Sequence, residues 1–304
     1  MGHRKLIDYF FITLKGIAMG AADVVPGVSG GTIAFISGIY EELITSINNI
    51  DFGLIKILRK EGIKGAWTAV NGNFLLALFI GIFISLFSLA TLVSWLLENQ
   101  PVLLWSFFFG LVTASVFFVG KEIKKWNFGT ITILLIGAAI AFFITTLPPN
   151  ENIDGLPFLF LSGALAVCAM ILPGISGAFI LVLLGSYKTI LDAVHEKDFK
   201  IVATVAVGAI FGLLSFARLL KWMFKNYKNL TLAMLTGFII GSLNKIWPWK
   251  KILEIKKFGE KEVIIDTNTS PLNYDGDPQI LYAVIIALIG FSLIFILEKS
   301  ASKK

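Results

Sequence analysis

Twice in this 304-residue chain a Pro-Gly pair is followed, one residue on, by Ser-Gly: Pro26-Gly27-Val28-Ser29-Gly30 and Pro173-Gly174-Ile175-Ser176-Gly177. Proline lacks an N–H and disfavours a helical residue before it, while glycine opens backbone turns closed to other residues. Serine is a good cap for the helix that follows. Each motif should end one helix and begin another, leaving N–H groups at the new helix start. Such a start carries a positive dipole end and suits a phosphate or carboxylate. The chemistry expected of Pro26, Gly27, Ser29, Gly30, Gly31 and Thr32, and of Pro173, Gly174, Ser176 and Gly177, is anion binding through backbone amides. No catalytic residue and no metal ligand is assigned. A tight turn between helices would account for either motif alone, but the same spacing occurs twice.

Charged groups near these breaks are few. Asp23 precedes Pro26 by three residues; it reads as a proton or cation coupling site, as a group that orients the cradle, or as a carboxylate that satisfies loop amides. The second copy has Met170 and Phe179 where the first has Asp23 and Thr32, so the two are not equivalent. Lys15 and Arg218 interrupt apolar runs and could supply countercharge, or snorkel to the headgroups. Glu41 and Lys188 occupy matching positions with opposite charge, which suggests a cross-repeat pair, with Glu41 a second coupling candidate. No cofactor beyond a coupled proton or cation is expected.

The elements that must position these residues are apolar. The chain is 56% hydrophobic and 15% charged, with a mean hydropathy of +0.83. Soluble domains carry about 25% charged residues, so this is an integral membrane protein. Segments 74–97, 101–119, 130–147, 201–220, 229–244 and 280–297 are nearly charge-free and mostly long enough to cross a hydrocarbon core of about 30 Å. Shorter or less apolar segments lie at 6–22, 32–50, 156–171 and 178–191. No cleavable signal peptide is evident. The single Cys168 reads as a buried small hydrophobe, and two histidines in polar flanks, His3 and His195, argue against a His-rich metal site. The net charge of +6 sits at segment ends, which argues for orientation rather than nucleic-acid binding.

The breaks belong to a duplication. At an offset of 147, Pro26 meets Pro173, Ser29 meets Ser176, Gly38 meets Gly185 and Tyr40 meets Tyr187, giving P-G-x-S-G-x7-G-x-Y twice. Beyond a longer first-half loop the offset becomes 127: Gly81 meets Gly208, Trp95 meets Trp222 and Gly110 meets Gly237. The expected fold is an all-α integral membrane protein, a single membrane domain over 1–304 built from two repeats, 5–147 and 155–298. Each has one re-entrant helical hairpin with a PGxSG tip plus three transmembrane helices. Three crossings are odd, so the second repeat is inverted, which places a substrate site near the midplane at the repeat interface.

With hairpins that return to their own side, 15 Lys and Arg fall on the side of both termini and 8 on the other, six of them in the loop 245–278. The positive-inside rule puts both termini in the cytoplasm and that long loop outside. The loop reads as an interfacial amphipathic piece followed by a surface turn. Trp95, Trp105, Trp126, Trp222, Trp247 and Trp249 fall at segment ends, as interfacial aromatics do.

Two function classes fit: a transporter of an anionic molecule, lipidic or small and ion-coupled, and a membrane phosphatase acting on a lipid pyrophosphate. Undecaprenyl-pyrophosphate phosphatases carry a loop resembling PGxSRSxxT. Here the stretch is PGVSGGT in one copy and PGISGAF in the other, without the arginine and without a histidine, and phosphoryl transfer needs a cationic clamp.

Residues 20–44, GAADVVPGVSGGTIAFISGIYEELI, resemble the signature of the PopT-type polyprenyl-phosphate transporter family, and LPGISGAFILVLLGSY is similar to its internal repeat. The resemblance covers essentially the whole chain. It implies translocation of undecaprenyl phosphate from the outer to the inner leaflet of the bacterial cytoplasmic membrane, which recycles the carrier for peptidoglycan and other envelope polymers. The implied partners are a polyprenyl phosphate and membrane lipids, not nucleic acid. The sequence holds no decisive dimer motif, though homo-oligomers are common among such transporters.

Overall fold

Apolar runs with few breakers become long helices in the computed structural model, which describes residues 4–25, 28–148, 155–258 and 261–301. The first half gives α1 (Leu6–Val24), α2 (Gly30–Ile36), α3 (Tyr40–Asn48), α4 (Phe52–Ala69), α5 (Gly72–Asn99), α6 (Pro101–Glu122) and α7 (Phe128–Thr146). The second gives α8 (Leu156–Ile171), α9 (Gly177–Leu183), α10 (Tyr187–His195), α11 (Phe199–Ser242) and α12 (Ile280–Ala301). Among the described residues α5, α6, α7 and α11 are long and apolar enough to cross a membrane, and α9 and α10 meet at a bend of 106°. The expected spans 201–220 and 229–244 are the two arms of α11, which breaks at Tyr227 (φ −137°, ψ 45°).

Glycines decide which helices pair, because a residue without a side chain lets two backbones approach closely. A Cβ on Gly16 would strike the Leu78 carbonyl, and one on Gly81 the Thr13 carbonyl, so α1 lies flush against α5. In the other half, Gly163 abuts the Val205 carbonyl and Gly208 the Phe160 carbonyl, and α8 lies flush against α11. Gly16 and Gly163 stand 147 residues apart and Gly81 and Gly208 stand 127 apart, the two offsets of the sequence repeat. The same holds for the remaining spans: Gly110 faces Ala287 of α12, and Gly237 of α11 faces Leu134 of α7. Each half's last helix thus packs on a helix of the other half.

Residues 245–278, expected as an interfacial amphipathic piece and a surface turn, add two strands to a mostly helical chain. They fold as an antiparallel ribbon, β1 (Lys250–Phe258) with β2 (Lys261–Asn268), Lys250 opposite Asn268 and Ile252 opposite Asp266. The run Val263-Ile264-Ile265, with Thr267 and Thr269 beyond it, is β-branched and favours a strand over a helix. At the ribbon's foot Trp247 Nε1 donates to the Thr269 carbonyl (2.9 Å) and Trp249 Nε1 to the Pro278 carbonyl (2.8 Å). Trp105 and Trp249 are buried rather than exposed in a belt.

Candidate functional site: two apposed helix breaks

The two breaks touch. Ser29, in extended conformation, caps α2: its Oγ accepts from the Gly31 N–H at 3.1 Å. The same Oγ donates to the carbonyl of Met170 at the end of α8, 3.0 Å away. In return the Gly174 N–H donates to Thr32 Oγ1 at 2.9 Å. Ser29, Thr32 and Ser176 are buried. A Cβ on Gly31 would stand 2.6 Å from the Ile171 carbonyl, so glycine is what admits the end of α8. Gly174 has φ +90°, in the left-handed region, and its missing Cβ would meet Ser242 Oγ at the end of α11. Pro173 is buried in the same turn. Pro26 and Gly27 lie outside the described residues.

The first helix start does not hold free amides, contrary to the expectation from the sequence. Asp23, near the end of α1, accepts from the Gly30 N–H at 2.6 Å, and Ser29 takes the next amide. A carboxylate of the chain therefore sits where an external anion would bind. The second copy has no counterpart: Met170 stands at Asp23's position, and Ser176 caps none of the amides of α9. Gly177 packs against the Ala166 carbonyl.

Both short helices end in the same turn. Gly38 and Gly185 have φ of +73° and +72°. Ile39 N–H donates to the Ala34 carbonyl and Ser186 N–H to the Leu181 carbonyl, each at 3.0 Å, the six-to-one bond of a Schellman cap.

The charged candidates go elsewhere. Lys15 Nζ donates to the Ser37 carbonyl at 2.7 Å, at the C-terminal end of α2 and about 10 Å from its start at 1.5 Å per residue. Its counterpart 147 residues on is Ser162, bonded to Ser186 Oγ at 2.7 Å. Both bonds reach the turn that ends the short helix after a break, Ser37 following α2 and Ser186 following α9. Arg218 is exposed on α11 with no hydrogen-bond or ion-pair partner among the described residues. Glu41 does not pair with Lys188. It binds Lys228 beyond the α11 break at 2.6 Å, because α3 packs on α11. Glu42 beside it accepts from both terminal guanidinium nitrogens of Arg4 at 2.6 Å and from the side-chain amide of Asn71 at 2.7 Å.

Sequence reasoning missed Met170 and Ser242, which act through a main-chain carbonyl and through packing and leave no side-chain signature. It also missed the Lys15–Ser162 correspondence, which the 147-residue offset would have exposed.

Long apolar helices packed through glycine, with two buried breaks apposed between them, define a multi-pass helical membrane protein. The chain matches the undecaprenyl phosphate translocase-like family over residues 19–263 and belongs to it. It is 44% identical over 98% of its length to the polyprenyl-phosphate transporter of Vibrio cholerae serotype O1, covering 99% of that protein. It is 32% identical over 77% of its length to the polyprenyl-phosphate transporter of Staphylococcus aureus, covering 85% of that one. No solved structure matches it.

Proposed function

We propose that this protein translocates undecaprenyl phosphate from the outer to the inner leaflet of the bacterial cytoplasmic membrane, with both termini cytoplasmic. The observation that carries the reading is the pair of reciprocal bonds between the breaks, Ser29 to Met170 and Gly174 to Thr32. They support two inverted repeats whose re-entrant hairpins meet at one place, where a headgroup could be held while the polyprenyl tail stays in lipid. The glycine contacts recurring at the repeat offsets support the same arrangement.

The headgroup phosphate docks between the two helix starts. It competes with the Asp23 carboxylate for the Gly30 amide and reaches the start of α9, where no side chain caps the amides. Displacing Asp23 frees a carboxylate to take a proton or cation, which would tie that step to coupling. Arg218, exposed on α11, would meet the headgroup only on its way to or from the breaks. Rocking of one repeat against the other then changes the leaflet to which the site opens. Neither break carries an arginine or histidine, which supports binding without cleavage over phosphatase chemistry.

The test is translocation of undecaprenyl phosphate in proteoliposomes containing the wild type, Ser29→Phe or Ser176→Phe. Loss of translocation in both variants with the folded protein retained is the expected result. Normal rates in both would refute the headgroup site. Purified protein given undecaprenyl pyrophosphate should release no phosphate.

A further inference from the structure

Two ammonium groups lie at the foot of the ribbon with one carboxylate between them. Lys245 Nζ and Lys250 Nζ each stand 3.4 Å from an oxygen of Asp266, with side-chain exposures of 21%, 10% and 16% for Lys245, Lys250 and Asp266. Both cations rest on aromatic faces. Lys250 lies 3.8 Å from the centre of the Trp105 ring, and Lys245 lies 5.4 Å from that of Phe179, which belongs to the second hairpin. Lys250 also donates to the Lys245 carbonyl at 2.8 Å. Among the described residues no second carboxylate comes within ion-pair distance of either lysine, and within that set the two ammonium groups share the single charge of Asp266 in a largely buried niche. Buried charge is stable when paired, and among these groups the pairing is incomplete.

A groove of about 620 Å³ adjoins the niche. Phe109, Leu243 and Trp247 give it an apolar wall, and Asn268 and Ser270 a polar one. Asn268 stands opposite Lys250 in the ribbon and bonds Asn244, the residue before Lys245, so two residues that line the groove neighbour the lysines, while neither lysine lines it.

We propose that the Lys245–Lys250 niche is a second anion site, distinct from the helix breaks, that takes a phosphate monoester. A monoester is nearly dianionic at neutral pH and matches two ammonium groups, whereas a diester carries a single charge. The apolar wall fits the first carbons of a lipid phosphate. In the orientation proposed above the site faces outward, and its role in receiving a lipid headgroup rests on that reading. Burial pushes the Lys250 ammonium down to about 8, with Lys245 adding to the push against Asp266, as expected of an under-compensated charge.

The test is calorimetric titration of the full chain, in phosphatidylcholine nanodiscs, with geranyl phosphate and with inorganic phosphate. The proteins are the wild type, K245M/K250M, K245R/K250R and D266N. Geranyl phosphate should bind the double methionine variant about tenfold or more weakly and D266N several-fold more tightly, with the arginine variant close to the wild type. Geranyl phosphate binding well above inorganic phosphate assigns the lipid headgroup, and equal binding assigns free phosphate. The proposal is overturned if a monodisperse K245M/K250M protein binds as the wild type does, or if D266N weakens binding as much as loss of the lysines. It is also overturned if phosphatidylglycerol nanodiscs abolish the binding, since the niche would then hold bulk lipid. The breaks are tested by translocation and this niche by binding, so either can fail alone.

Discussion

The Gly174 N–H and Thr32 Oγ1 meet at 2.9 Å across 142 residues of sequence. This bond fastens one break to the other. Thr32→Val keeps the shape and removes the acceptor, leaving a buried amide unpaired at a cost of about 1–3 kcal/mol. The unfolding midpoint in detergent and the translocation rate should both fall, and Thr32→Ser should restore them. A valine variant as stable as the wild type would show that the bond is incidental.

Two glycine replacements separate strain from contact. Gly38 has φ +73° and open space, with nothing within 4 Å, where an added methyl would stand, so Gly38→Ala carries only the left-handed penalty of about 1–2 kcal/mol. Gly81→Ala drives a methyl into the Thr13 carbonyl and must part α1 from α5. Thermal unfolding should rank Gly81→Ala well below Gly38→Ala, and the reverse order would contradict the close packing of these helices.

The Glu41–Lys228 contact is open to a double-mutant cycle. Both side chains are about half exposed, so solvent screening holds the coupling to about 0.2–1 kcal/mol. The same cycle on Glu41 and Lys188 should give no coupling. Coupling in the second cycle alone would restore the pairing that the repeat alignment suggested.

Lys250 sets a pH dependence. Its ammonium titrates near 8 in the folded chain against an ordinary 10.5. Between those values the unfolded chain binds more protons than the folded one, so stability rises with pH through that window. Unliganded wild type should therefore gain thermal stability from about pH 8 towards about pH 10, and Lys250→Met should lose that gain. An equal gain in the variant would place the titration on another group.

The breaks between helices were legible because Pro, Gly and Ser act on the backbone wherever they stand. Gly38 and Gly185 share one turn, as the G-x-Y spacing implied. Side-chain destinations were not legible. Lys15 looked like countercharge for a ligand, yet its length carries it to the Ser37 carbonyl at the other end of α2. Asp23 could be read as a coupling residue, as an orienting group or as a carboxylate that satisfies loop amides, and only its bond to the Gly30 N–H, which fits the last, distinguishes them. The ribbon was hidden because its balance of lysines and acids resembles a solvated surface piece, and the β-branched run around Val263 is short beside it. Which of two like-charged partners a glutamate chooses depends on tertiary packing, here α3 against α11.

The bonds that join the breaks, hydroxyl to carbonyl and amide to hydroxyl, carry no net charge. Their strength is therefore indifferent to ionic strength and to the electrical potential across the membrane, which acts on charge at about 2.3 kcal/mol per unit per 100 mV. Under the mechanism proposed above, voltage dependence of transport would report charge in motion through the field, such as that of the cargo or of Asp23, and not the parting of these uncharged bonds.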